Sequence, residues 1–106
     1  MKKRAAPADV KPITLGKTRY EAFHWGKTRD LGQNGGHVVA VDARSGKELW
    51  VTRLYDIEYK PNMEADKQDV FLVSLALDRQ KTHLIAKDER GRRFSLDLFS
   101  REVEAL

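Results

Sequence analysis

Residues 69–77, Asp-Val-Phe-Leu-Val-Ser-Leu-Ala-Leu, form the strongest apolar stretch of the chain. Phe71, Val73, Leu75 and Leu77 fall on one face and Val70, Leu72 and Ala76 on the other, a pattern that suits a strand covered on both sides. Five further segments show a strand rhythm. Residues 18–25 are rich in aromatic and β-compatible side chains. Residues 37–42 are short and apolar, and 47–55 set Leu49 and Val51 against Trp50 and Leu54. Residues 83–87 and 92–99 complete the set, with Phe94, Leu96 and Leu98 inward. Asp42-Ala43-Arg44-Ser45-Gly46 and Asp88-Glu89-Arg90-Gly91 punctuate the last two pairs as hairpin corners, since Asp caps backbone N–H groups and Gly accepts positive φ.

The pattern predicts an all-β domain of about six strands, arranged as two three-stranded antiparallel meanders. Residues 1–12 read as a mobile basic arm and 13–106 as one β domain, with units over about 13–55 and 69–99. The linker 56–68 between them is polar, and Asn62 offers a cap for a short helical turn over 63–67. Residues 26–36 form a loop, and the tail 100–106 is expected to fray.

The two halves also resemble each other. Residues 37–54 and 83–99 align with one gap opposite Ser45, and five positions are identical: His37/His83, Ala40/Ala86, Asp42/Asp88, Arg44/Arg90 and Gly46/Gly91. The offset of 46 residues lies in the range of repeat architectures.

Ala40, Asp42, Ser45, Gly46, Lys47 and Trp50 fall in the pattern A-x-D-x-x-[TS]-G-K-x-x-W. This segment resembles the docking motif of pyrroloquinoline-quinone-type β-propeller repeats. A degenerate second copy keeps Ala86, Asp88 and Gly91 and has Ser95 where the Trp would fall. The likeness is good over about 40–54, weaker over 83–98 and absent from the N-terminal third. It implies that these Ala, Asp, Gly and Trp residues tie neighbouring blades together and take no part in catalysis. A propeller closes with about 4–8 blades, whereas this chain has material for two, so the family's quinone site is not carried over and no cofactor is expected. The family also includes bacterial periplasmic proteins, which raises that compartment: periplasmic if a secretory leader has been removed, otherwise cytoplasmic.

Composition narrows the remaining chemistry. The 106 residues contain no cysteine, which excludes a disulfide framework, a thiol nucleophile and thiolate-bound zinc. No apolar run approaches the length of about 20 residues that a membrane-spanning helix needs. The net charge of +4 is uneven: residues 1–29 carry eight Lys or Arg against Asp9 and Glu21, a net of +6.

Gly16-Lys17-Thr18-Arg19 and Gly26-Lys27-Thr28-Arg29 look like phosphate-loop fragments, yet the loop's leading glycine would fall at Lys11 and Glu21. Lys17, Arg19, Lys27 and Arg29 are therefore kept only as candidate contacts for an anionic partner. His24, His37 and His83 lack metal-ligand spacing, and the serines 45, 74, 95 and 100 lack an elbow motif. No metal site is expected. The chain is read as non-enzymatic: an interaction or structural module, self-associating or binding another protein, with Trp50, Tyr55 and Tyr59 as candidate interface residues. The alternative is binding of nucleic acid, lipid head groups or polysaccharide through the basic N-terminal segment.

Overall fold

The computed structural model describes residues 6–64 and 68–106. It is all-β, with two four-stranded antiparallel sheets and a single 3₁₀ turn, Gly26–Arg29, among the described residues. The first sheet contains β1 (Ile13–Leu15), β2 (Thr18–Phe23), β3 (His37–Asp42) and β4 (Glu48–Arg53). The second contains β5 (Leu72–Leu77), β6 (His83–Asp88), β7 (Arg93–Asp97) and β8 (Val103–Ala105). Each sheet is a simple meander in chain order.

The strand count is therefore eight rather than six, and each meander has four strands rather than three. The two additions, β1 and β8, are three residues long. Residues that short show too little alternation to be recognised as strands. β1 is held by a tight turn at Gly16 (φ 61°), so the first Gly-Lys-Thr-Arg segment is a hairpin corner. β8 occupies the tail that was expected to fray. Of the expected helical turn over 63–67, residues 65–67 lie outside the described residues, and Met63 sits in a bend.

Register explains the core. In the first sheet Tyr20, Ala40 and Trp50 lie side by side, and Ala22, Val38 and Thr52 form the next row. In the second sheet the matching rows are Leu75, Ala86, Phe94 and Leu77, Leu84, Leu96. These faces contribute to one cluster, completed by Leu54, Tyr55 and Val70 from the link between the sheets and by Leu72 at the start of β5. Val38, Ala40, Leu84 and Leu96 are fully enclosed. Burying a Leu or Val side chain contributes about 1.5–3 kcal/mol, so this shared core, more than any polar contact, joins the two halves.

The opposite face of the first sheet is also covered. The chain after β2 folds back as the 3₁₀ turn, and Arg29 lies 5.2 Å from the Phe23 ring centroid. Its guanidinium donates two hydrogen bonds of 2.7 Å to the Glu48 carboxylate. Beneath this face Val39 and Val41 are buried. On the second sheet, by contrast, Ser74, Ala76 and Lys87 of the outer face are exposed.

Candidate functional site

The corner residues act through local chemistry. Asp42 ends β3, and its Oδ1 accepts from the backbone N–H groups of Arg44 and Ser45 at 2.9 Å. Gly46 follows at φ 77°. These donors hold the Asp42 carboxyl below its ordinary range. Asp88 ends β6 and is fully buried, where its Oδ1 accepts from Arg90 N and Arg92 N and its Oδ2 accepts from Arg92 Nε at 2.7 Å. Gly91 stands at φ 80°.

A third corner repeats the first more closely. Asp97 Oδ1 accepts from Phe99 N and Ser100 N, and Ser100 Oγ accepts from Glu102 N, just as Ser45 Oγ accepts from Lys47 N. Here Arg101, at φ 65°, takes the place of Gly46. Both corners link the third and fourth strands of their sheets.

The aromatic candidates lie at the seam between the sheets. Tyr55 is buried, stacks on Phe94 at 5.1 Å and 28°, and donates its hydroxyl proton to the Val70 carbonyl at 2.6 Å. Desolvation pushes its pKa up, and the charge of Asp88 adds to this. Trp50 is half-buried, with Tyr20 at 5.9 Å and the Arg101 guanidinium 5.6 Å from its ring. Tyr59 donates its hydroxyl proton to Asp69 and carries the Lys27 ammonium 3.9 Å above its ring. Burial, then the bond to Asp69, pushes the Tyr59 phenol up to about 12. All three rings are engaged within the chain, Tyr55 most completely.

The four basic candidates do not form one patch of free cations. Arg19 pairs with Glu21 and Arg29 with Glu48. Lys27 sits on Tyr59, while Lys17 is exposed beside the β1–β2 corner. A cleft of about 430 Å³ opens where the linker passes the β6–β7 corner. Lys60, Arg90 and Arg92 line it together with Asp56 and Glu58, so its charges largely offset.

A different surface gathers exposed apolar and ionisable groups, at the β5–β6 and β7–β8 corners. His83 Nδ1 lies 3.3 Å from Asp78 Oδ2 and 2.8 Å from the Thr82 hydroxyl oxygen, and its Nε2 lies 3.5 Å from Asp97 Oδ2. Asp78 and Asp97 are held below the ordinary carboxylate range, mainly by backbone N–H donors, with the charge of His83 contributing. Phe99, beside them, is 98% exposed. His37, the sequence counterpart of His83, is buried and contacts the Gln33 carbonyl through Nε2 at 3.0 Å. The two histidines thus have different surroundings.

Sequence reasoning passed over Phe99 and Arg101, placing Phe99 at the end of a strand. The usable signal is the spacing Asp97-x-x-Ser100, which copies Asp42-x-x-Ser45.

Among the described residues, no group of three or more His, Cys, Asp or Glu is placed to hold a metal ion. No helix there is long and apolar enough to cross a membrane. No protein-family model and no curated protein matches this chain.

Proposed function

We propose that the protein is a non-catalytic β-repeat module that acts by binding protein, and that its first partner is a second copy of itself. The observation that carries this is the state of the sheet edges. Neither sheet closes, so β1 and β4 in the first and β5 and β8 in the second each have a single neighbour, while the inner faces of the sheets share one core. Edge strands present unpaired backbone groups and are natural sites for association. The resemblance of the Ala40, Asp42, Gly46, Trp50 segment to quinoprotein-type propeller repeats supports the same reading. Such a blade works by stacking against neighbours, and here the outer face of the second sheet exposes Ser74, Ala76 and Lys87.

Sedimentation equilibrium over a wide concentration range tests this. The expected result is a reversible shift from the 12.2 kDa monomer to a larger species. A monomer mass persisting to about 1 mM would remove self-association, since a weaker contact contributes less than about 4 kcal/mol.

The second reading, binding of an anionic partner, is favoured by the net +6 of residues 1–29. It requires Lys17, Lys27 and the basic residues near the N-terminus to act without Arg19 and Arg29, whose guanidiniums are paired with carboxylates. Binding to a polyanion that falls steeply with salt would support it.

A further inference from the structure

Phe99 stands at the tip of the β7–β8 corner with 98% of its surface exposed. The matching position of the first sheet's corner, two residues beyond the capping Asp, holds Arg44. The corner geometry therefore does not require an aromatic side chain there. An exposed Phe contributes nothing to the core, and with the exposed Val103 across the His83–Asp97 pair it adds to an apolar surface of the kind that marks contact sites.

Two hollows flank the His83–Asp97 pair and share it as a common wall. One, of about 570 Å³, is completed by Lys81, Thr82, Leu98 and Phe99. The other, of about 300 Å³, is completed by Ser95, Glu102, Val103 and Glu104. One side thus presents Phe99 and a cation, and the other presents Val103, 36% exposed, with two carboxylates.

We infer that this surface is a two-fold contact with a second copy of the chain, the axis running beside His83 and Asp97. A two-fold contact uses the same patch on both partners, so each patch must contain both halves of every interaction. Rotation about that axis exchanges the two sides. It sets Phe99 of each copy over Val103 of the other, and Lys81 of each over Glu102 and Glu104 of the other. Apolar contacts accompanied by complementary charges are the usual composition of a stable interface. A polyanion or an anionic membrane fits less well, because Asp97, Glu102 and Glu104 on this surface would meet it with like charge.

This inference rests on the self-association reading and names its surface. The test is sedimentation velocity on the full chain and on Phe99→Ser, Lys81→Glu and the double variant Lys81→Glu/Glu104→Lys. Near-UV circular dichroism would establish that each variant keeps its native packing. The expected result is a dimer weakened by at least about tenfold in Phe99→Ser and Lys81→Glu, and recovered in the double variant. If the unsubstituted chain dimerises and Phe99→Ser dimerises equally well, this surface is wrong while self-association stands. If the unsubstituted chain stays monomeric, the underlying reading fails with it.

Discussion

The guanidinium of Arg101 lies 5.6 Å from the ring of Trp50, so the last corner of the second sheet reaches β4, an edge strand of the first. Arg101 does this from a left-handed backbone, at φ 65°. That conformation disfavours a side chain by roughly 1–2 kcal/mol, and a cation over Trp returns about 0.5–1 kcal/mol at an exposed site.

The two terms can be separated by substitution. Arg101→Ala keeps the strained backbone and loses the ring contact, so it should lower stability by about 0.5–1 kcal/mol. Arg101→Gly loses the same contact but relieves the strain, and should be at least as stable as the alanine variant. Urea unfolding followed by Trp fluorescence measures both. A glycine variant clearly less stable than the alanine one would contradict the account.

Asp88 and Asp42 should respond very differently to truncation, although both sit at hairpin corners. Asp88 is enclosed, and its carboxylate holds two backbone N–H groups and the Arg92 side chain. Arg92 in turn lies 5.0 Å from the Tyr55 ring and 5.6 Å from that of Phe94. Asp88→Ala leaves two part-buried backbone N–H groups without their acceptor and releases the half-exposed Arg92 guanidinium, and should cost about 2 kcal/mol or more. The Asp42 carboxylate faces solvent, which can replace its hydrogen bonds, so Asp42→Ala should cost clearly less. Equal losses in chemical denaturation would overturn the distinction.

The two corners also show what the amino-acid pattern discloses. Asp42, Gly46, Asp88 and Gly91 are recognisable as corners because capping and positive φ are local chemistry, set within a few residues. The strands at 37–42 and 83–87 are legible for the same reason. Which corner corresponds to which is not local. The sequence repeat pairs His37 with His83, hence β3 with β6, but by place in the sheet β3 corresponds to β7 and Asp42 to Asp97. Identity at five positions outweighed the shorter Asp-x-x-Ser match because nothing in the letters records strand order. The short strands β1 and β8 escaped, being too brief for alternation to show. Nor could the exposure of Phe99 be foreseen, since burial depends on whether another segment arrives to cover a side chain.

Gly26 belongs to the second of the two segments that imitate a phosphate loop, and its own role is steric. A Cβ on this residue would lie 2.1 Å from the Gln33 carbonyl oxygen and 2.5 Å from His37 Nε2. Backbone and a buried ring approach from the same side, so neither can yield cheaply. Gly26→Ala should destabilise the protein by about 1–3 kcal/mol and displace the His37 imidazole resonances. Calorimetry and NMR would measure the two effects, and an alanine variant of unchanged stability with an unshifted His37 would refute the close approach.

Two histidines set how stability depends on pH. His24 and His37 both have lowered pKa values, chiefly because desolvation penalises the imidazolium. His24 Nε2 faces the Ala8 carbonyl at 3.2 Å and His37 Nε2 faces that of Gln33, so each ring donates from Nε2 as the neutral form. Among the described residues, the buried His24 Nδ1 has no hydrogen-bond partner. A proton placed there would have no acceptor. For His37, Arg53 and Arg29 add repulsion. In the unfolded chain both rings titrate near about 6.5. Below that pH the unfolded state binds protons that the native state does not, so stability is full above about 6.5 and falls as pH drops through the lowered native values. A second loss follows below about 4, where Asp42, Asp78 and Asp97, whose native pKa values are also lowered, become protonated. The urea midpoint should therefore be lower at pH 5 than at pH 7.5, and His24→Gln should flatten part of that slope. A midpoint unchanged across this interval would mean that the two rings accept protons in place, contrary to their burial.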